Sequence, residues 1–240
     1  MNTILKDTGI KLALVLIPVL IWSCREKHEL EQPVKAVYVT EQISPVVKEL
    51  LVFANIPFTD TSDISSLLGF KFIDENGKVV ISDSEKNTKI YKNLIKGRST
   101  SKLPLFEILV SDEVILVIQS RGNIGAIWAK IIIDNKRKEI MKLQFEHMAE
   151  SEGYGAAITQ SSFENQFVGI VLDPDLKDFG LKQNGVVLIE GVNMIDGISG
   201  ATITSKAGVK MINQGLLKYR NYLKQPLVQL ETDNITNSKK

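Results

Sequence analysis

Four apolar segments in the middle of the chain constrain its fold more than any other feature. They are rich in Val, Ile and Phe, residue types that favour extended strands, and short polar turns separate them. The segments are Phe106–Val110, Val114–Gln119, Ile124–Asp134 and Lys138–Phe145. Connections as short as these join neighbouring strands that run in opposite directions. The sequence therefore predicts an antiparallel β meander.

Helical and further strand patterns flank this meander. Apolar residues recur at helical spacing over Ile43–Ile56, while Phe70–Ile73 and Val79–Ile81 enclose the polar turn 74–78 of a predicted hairpin. Val186–Glu190 predicts one more strand. Strands that come in a run, with helices outside the run, favour an α+β domain in which the meander packs against helices.

A long helix is expected near the C-terminus, with Ser205 as its N-cap. Its apolar residues recur every three or four positions and should form one buried stripe: Val209, Ile212, Leu216, Tyr219 and Leu223. The polar residues between them are expected on the other faces: Lys206, Lys210, Asn213 and Lys218.

The N-terminal segment has the pattern of an export signal or membrane anchor. An uncharged run, Leu12–Trp22, precedes the only cysteine, Cys24, and is shorter than the roughly 18–20 residues of a membrane-spanning helix. An apolar run followed by the small residue Ser23 and then Cys24 resembles a bacterial lipoprotein signal, in which that cysteine is lipidated. A short membrane anchor, a plain cleaved signal and a buried helix remain alternatives. We expect residues 1–24 to direct export, 25–33 to be a tether, 34–224 the folded domain on the periplasmic side of the cell membrane, and 225–240 a disordered tail.

Composition narrows the functional classes. The 29 Lys and Arg residues balance 28 Asp and Glu, so the bulk charge gives no indication of nucleic-acid binding. One cysteine permits neither an intramolecular disulfide nor a cysteine-only metal cluster. The two histidines, His28 and His147, lie far apart in the sequence, so no metal site is expected. Any redox chemistry must use another carrier.

The segment from Asp196 to Ser205 has the composition of an anion-binding turn. Gly197 and Gly200 allow close approach of the backbone to a ligand, and the start of a helix offers unpaired N–H groups and partial positive charge. The hydroxyl residues of this turn could equally be ordinary turn and capping residues.

The ordered string Asp196-x-x-Ser199-Gly200-Ala201-Thr202-x-Thr204-Ser205 resembles the flavinylation site of the bacterial FMN-binding domain family. That family includes the C subunit of the sodium-translocating NADH:quinone oxidoreductase and the G subunit of the related Rnf complex. The resemblance implies that FMN is joined to Thr202 by a phosphoester. It also implies that a magnesium-dependent, extracytoplasmic flavin transferase recognises Asp196 and Ser199. Further cofactor contacts are implied for Ser199, Gly200, Ala201, Thr204, Ser205 and Lys206.

A second segment is similar to the same family in order and spacing. Gly125 and Trp128 precede Glu146-His147, then the loop Glu150–Gly155, then Phe163, Phe167 and Gly169. The resemblance implies that the loop and the histidine contact the flavin through His147, Glu150, Ser151, Gly153, Tyr154 and Gly155. The chain departs from the family's Glu-Thr-Pro-Gly-Leu-Gly pattern, since it has Ser151-Glu152 in place of Thr-Pro and Tyr154 in place of Leu. Tyr154 could stack on the flavin ring.

Other interpretations of these residues are weaker. Gly153–Ile158 matches a dinucleotide-binding fingerprint only in part, because its sixth position is Ile and no strand leads into it. His147 could instead be structural. Glu150 and Glu152 could form an acid–base pair, although carboxylates in a glycine-rich loop are usually solvated. Core packing is the favoured role for Trp128, Phe163 and Phe167.

The resemblance implies an electron-transfer flavoprotein with no catalytic side chain of its own. It would be a component of an ion-translocating respiratory complex or a flavinylated lipoprotein, and would work with membrane redox subunits or extracytoplasmic acceptors. A threonine hydroxyl is a weak nucleophile and no base lies at a telling spacing, so self-flavinylation is not expected. Two alternatives stay open: an FMN-dependent reductase with its own substrate, and a lipoprotein binding module without flavin.

Overall fold

The computed structural model describes residues 43–98, 101–173, 175 and 178–225. The predictions for residues 1–24, the tether 25–33 and the tail from residue 226 therefore lie outside the described residues, as does the lipidation expected at Cys24. In the part of the chain that is described, no helix is both long enough and apolar enough to cross a bilayer.

A six-stranded antiparallel sheet forms the centre of the domain, in the spatial order β2-β1-β3-β4-β5-β6. Its last four strands are the predicted meander, and its first two are the predicted hairpin, in which the Asp74 carboxylate accepts the N–H groups of Asn76 and Lys78. The strands are β1 (Leu68–Ile73), β2 (Val79–Ile81), β3 (Leu103–Ile108), β4 (Glu113–Arg121), β5 (Ala126–Asp134) and β6 (Ile140–His147).

Helices cover both faces of this sheet. Alternate residues of β4 face opposite layers: Leu116 and Ile118 pack with one hydrophobic cluster, while Ile115 and Val117 pack with the other. The second cluster includes α1 (Pro45–Phe53) and α2 (Ser84–Ile95). The first includes α4 (Thr202–Leu223) and four phenylalanines, which are Phe145, Phe163, Phe167 and Phe179. Because both faces are covered, the strands are continuous apolar runs rather than alternating ones.

A smaller three-stranded sheet lies in the segment that leads to α4. Its order is β8-β7-β9, with β7 (Phe179–Gln183) antiparallel to β8 (Val186–Ile189) and parallel to β9 (Asn193–Asp196). Between β6 and β7 lie two 3-10 turns, Gly155–Thr159 and Asn165–Phe167, and the short helix α3 (Ser161–Glu164). This sheet positions the turn that precedes α4.

The α+β class and the aromatic core are confirmed. Trp128, Phe163 and Phe167 are buried, as predicted for core residues. The predicted stripe of α4 is buried as well, but Asn213 is not on an open face. Its side-chain amide accepts the Phe179 N–H and donates to the Phe179 carbonyl, so a polar residue in the core satisfies the backbone at the start of β7.

Candidate functional site

The start of α4 differs from the sequence prediction. The helix begins at Thr202, with Ala201 as its N-cap, so the expectation that Ser205 caps it is wrong. Ser205 lies inside the first turns, fully buried, where its hydroxyl accepts the N–H of Ile198 at 3.0 Å. This bond fixes the preceding turn to the helix. The N-cap residue is Ala201, which has no polar side chain to accept a helix N–H.

The helix therefore begins without a side-chain cap, and this makes its N-terminus available to a ligand. The first N–H groups of any α-helix have no partner within the helix, and they carry partial positive charge. Gly200 precedes the helix with φ +77°, a conformation that side chains disfavour. The turn thus presents backbone donors at Thr202, as an anion-binding helix start does.

A cavity of about 410 Å³ opens beside this helix start, a size typical of small-molecule sites. It is lined from two directions, by the glycine loop after β6 and by the first turn of α4. The lining residues are Asn123, Glu150, Ser151, Tyr154, Gly155, Gly200, Ala201, Thr202, Ile203 and Thr204. Two sequence segments about 50 residues apart thus meet at one cavity.

Tyr154 forms an exposed aromatic wall of this cavity. A Cβ at Gly200 would lie 3.0 Å from Cδ1 of Tyr154, so the ring packs directly against the Gly200 backbone. The side chain of Ile203 is also largely exposed at the same place. An exposed tyrosine next to an exposed isoleucine provides an apolar surface suited to a planar ring.

Thr202 is the first helical residue, and its side chain is half-buried at the edge of the cavity. Its hydroxyl donates a 2.7 Å hydrogen bond to Oε1 of Gln183, at the end of β7. Gln183 lay outside every motif in the sequence, because its role depends on the chain reversal that brings β7 beside the turn. A polar residue at the end of a strand was the one signal that could have indicated it.

Glu150 is buried, in contrast to the solvated carboxylate expected in such a loop. Its Oε1 accepts the N–H groups of Ile124 and Gly125 at 2.9 and 3.3 Å, and its Oε2 accepts the Thr204 hydroxyl at 2.8 Å. Burial acts to raise the pKa of Glu150, but these hydrogen bonds to the charged form outweigh it and hold the pKa below its usual value. Glu152, by contrast, is exposed as predicted.

Gly155 is required by this arrangement. A Cβ there would collide with Oε2 of Glu150 and would lie 2.7 Å from the Thr204 hydroxyl oxygen. His147 supports the same loop, because its Nδ1 accepts the N–H of Glu150 at 3.2 Å. The loop and the helix are thus joined by the buried hydrogen bond between Thr204 and Glu150, and only glycine fits beside it.

Several predicted contact residues lie near the cavity without lining it. Ser199 is exposed on the turn, Lys206 is half-buried in the second turn of α4, and Gly153 is exposed at the tip of the loop with φ +73°. Asp196 is exposed at the end of β9, 3.5 Å from Lys182 in a surface ion pair. The described residues contain no group of three or more potential metal ligands.

The comparisons with known proteins agree with this architecture. Residues 122–217 match the model of the FMN-binding domain family. The C subunit of the Na(+)-translocating NADH-quinone reductase of Chlamydia caviae is 29% identical over 126 residues, an alignment that covers 46% of this chain. The chain spans 40% of the length of that curated relative.

Two solved structures share the fold. One is the C subunit of the Na(+)-translocating NADH-quinone reductase from Parabacteroides distasonis, with a TM-score of 0.58 and 24% identity over 75% of this chain and 92% of its own. The other is NqrC from Shewanella oneidensis, with a TM-score of 0.55 and 20% identity over 74% of this chain and 97% of its own. At these identities the likeness establishes the fold.

Proposed function

Because residues 122–217 of this chain belong to the FMN-binding domain family, we propose that the protein is an electron-transfer flavoprotein that carries FMN on Thr202 through a phosphoester. The observation that carries this proposal is the position of the Thr202 hydroxyl. It lies at the first residue of a helix that has no side-chain cap, on the edge of a cavity of about 410 Å³.

The residues present fit such a group. A phosphate attached to Thr202 lies at the N-terminus of α4, where backbone N–H groups and the helix dipole stabilise negative charge. Gly200 has no side chain to obstruct the backbone at that point, and Lys206 in the second turn adds a positive charge. Tyr154 and Ile203 supply the apolar surface for the flavin ring. When bound, FMN supplies one- and two-electron redox chemistry that no side chain of the site can supply.

The arrangement favours a redox relay over a reductase with acid–base chemistry of its own. Both carboxylate oxygens of Glu150 are already engaged by protein donors, and the pKa of this group is lowered rather than tuned towards neutrality. Glu152 is exposed and outside the cavity lining. The site therefore holds and orients a cofactor, and electrons pass through it.

A protein of this kind needs a maturation partner and redox partners. The hydroxyl of Thr202 has no base beside it among the described residues, so a flavin transferase attaches the cofactor, and Asp196 and Ser199 on the exposed turn are its recognition residues. The apolar run before Cys24 attaches the protein to the membrane and places the domain on its periplasmic side. Other membrane redox subunits or extracytoplasmic acceptors then exchange electrons with it.

The direct test is covalent loading. The full chain is produced with a magnesium-dependent flavin transferase and FAD, run on a denaturing gel, and examined for flavin fluorescence and for a peptide mass increased by FMN. We expect a fluorescent wild-type band, a fluorescent Thr202→Ser band and a dark Thr202→Val band, because valine keeps the shape of threonine and removes its hydroxyl.

A dark wild-type band with an unmodified peptide at 202 overturns covalent attachment. Fluorescence that persists in Thr202→Val, with the flavin mapped elsewhere, overturns the assignment to this residue. Thr59→Ala serves as the matched control, since Thr59 is an exposed threonine outside the domain match. Turnover of small acceptors by the loaded, isolated protein distinguishes a reductase from a relay.

A further inference from the structure

Gln183 holds the Thr202 hydroxyl in one orientation. Oε1 of Gln183 accepts the Thr202 hydroxyl at 2.7 Å, and Nε2 of the same amide donates to the Ile198 carbonyl at 2.7 Å. Ile198 is itself fixed, because its N–H donates to the buried hydroxyl of Ser205 at 3.0 Å. A continuous set of hydrogen bonds thus connects the interior of α4, through the turn, to the side chain of Thr202.

We propose that Gln183 is a positioning residue for the modification of Thr202, an inference that rests on the proposed function. A threonine hydroxyl has one proton and two lone pairs. When the proton points to Gln183, the lone pairs of Oγ1 point elsewhere, and the χ1 rotamer is held in place. The nucleophilic oxygen is then presented in a fixed geometry before the transferase arrives, which reduces the orientational cost of the reaction.

The orientation of the amide is determined by both of its partners. A carbonyl oxygen accepts from Nε2, and a hydroxyl proton is donated to Oε1, so the reversed amide would place two acceptors face to face at the Ile198 carbonyl. Gln183 therefore acts as a hydrogen-bond acceptor towards Thr202. An amide is not a base at neutral pH, and the role is one of position, with proton removal left to the transferase.

The contact is specific to the unmodified protein. In the transfer, Oγ1 of Thr202 bonds to the phosphorus of the flavin mononucleotide half of FAD, the phosphoanhydride P–O bond breaks, AMP leaves with that bond's electron pair, and the hydroxyl proton is released to a base. The resulting ester oxygen has no proton. It cannot donate to Gln183, so the amide loses a partner on its Oε1 side when Thr202 is loaded.

The test measures the rate of flavin loading of the full chain by the purified transferase, with FAD and Mg²⁺, for wild type and Gln183→Met. Methionine keeps the length of the side chain and removes both hydrogen bonds. We expect kcat for the target protein to fall about tenfold or more, while KM changes by less than about twofold, because the exposed recognition residues remain.

Gln214→Met is the matched control, since Gln214 is an exposed glutamine on α4 that does not line this cavity, and it should load at the wild-type rate. Equal rates for wild type and Gln183→Met overturn the inference and leave the proposed function intact. Failure of the wild type to load at all overturns the proposed function instead. Circular dichroism and thermal unfolding establish whether each variant is folded.

A second measurement avoids the need for a folded variant. In wild-type protein labelled with ¹⁵N, the side-chain amide signals of Gln183 are compared before and after loading. We expect them to shift and their exchange with solvent to accelerate, while the Asn213 amide, which is buried against Phe179, stays unchanged. Gln183 signals that are identical in the two forms contradict the proposed contact.

Discussion

The carboxylate of Glu150 accepts a 2.8 Å hydrogen bond from the hydroxyl of Thr204, and this bond joins the glycine loop after β6 to the first turn of α4. The other carboxylate oxygen of Glu150 accepts backbone N–H groups of the turn between β4 and β5. One buried side chain therefore holds three segments of the cavity wall together. The geometry of the site depends on this residue even though both of its oxygens are already occupied by protein.

Replacement of Glu150 by Ala is expected to reduce the free energy of unfolding by about 3 kcal/mol, since it removes charge-assisted hydrogen bonds and leaves buried N–H groups without an acceptor. Urea denaturation of the purified protein measures the change. Glu152→Ala, two positions later and exposed, should change it by less than about 0.5 kcal/mol. Equal effects of the two substitutions contradict the structural role of Glu150.

The contribution of Glu150 should also depend on pH, because its pKa in the folded protein lies below its ordinary value of about 4.3. A lowered pKa means that folding favours the charged form. The stabilisation is then complete above the pKa of the unfolded chain and is lost as the pH falls through the lower pKa of the folded state. The difference in unfolding free energy between wild type and Glu150→Gln should therefore be constant from about pH 7 to about pH 5 and shrink towards about pH 3. A difference that does not change over this range contradicts the prediction.

The central sheet could be predicted from the sequence because burial on both faces makes its strands continuous apolar runs with short polar turns between them. The elements that were missed lack this signal. Helix α2 has a polar composition, and the main sequence signal for its start is the N-cap residue Asp83. The Asp83 carboxylate accepts the Lys86 N–H at 2.7 Å. Strand β3 was predicted, but its start was placed too late. It begins at Leu103 rather than Phe106, and it includes Pro104, a residue type that normally argues against a strand.

The second sheet could not be found in the same way, since β7 and β9 are short and pair directly in parallel although β8 lies between them in the sequence. Gly180 lies on β7 where another backbone passes close by, and a Cβ at this position would be 2.9 Å from the backbone nitrogen of Gly191. Such close approach of two backbones is a tertiary property. A local sequence pattern does not indicate which other backbone segment will pack against a glycine.

At the candidate site, the motifs include part of the cavity lining, but they do not indicate the contacts that hold the lining in place. Thr202, Tyr154 and Gly155, which the motifs singled out, line one cavity. Gln183 and the buried state of Glu150 depend on contacts between segments 19 and 54 residues apart in the sequence. Local spacing does not encode such contacts, and this explains why the sequence indicated a solvated carboxylate at Glu150 where the structure has a buried one.

A methyl group at Gly155 tests the closeness of loop and helix. Gly155→Ala is expected to lower the free energy of unfolding by about 1–3 kcal/mol, because the new Cβ collides with Glu150 and lies 2.7 Å from the Thr204 hydroxyl oxygen. In Gly197→Ala the nearest atoms lie at 3.4 Å, an ordinary contact, and the change should be small. Thermal unfolding followed by circular dichroism compares the two. A stable Gly155→Ala protein is incompatible with the packing described.

Lys130 lies at the centre of a charged network on the opposite face of the sheet. Its ammonium group is 2.6 Å from Glu49 and 2.5 Å from Glu146, its side chain is only 3% exposed, and the Tyr91 hydroxyl donates to Glu49 at 2.6 Å. Burial, together with the Glu49 carboxylate, raises the pKa of Tyr91. The buried ammonium group of Lys130 thus forms ion pairs with two carboxylates, those of Glu49 and Glu146.

Lys130→Met is expected to lower the free energy of unfolding by about 1–3 kcal/mol, because it leaves two partly exposed carboxylates close together without their cation. Adding Glu49→Gln and Glu146→Gln to this variant should recover part of the loss, since the triple variant has no uncompensated charge, and the size of that recovery measures the coupling.

Lys210→Met, an exposed lysine on α4, is the control and should change stability by less than about 0.5 kcal/mol. Urea denaturation at low and at high salt distinguishes a buried network from a surface ion pair, because salt screens surface charges far more than buried ones. Loss that disappears in high salt, or no recovery in the triple variant, contradicts a buried network at this position.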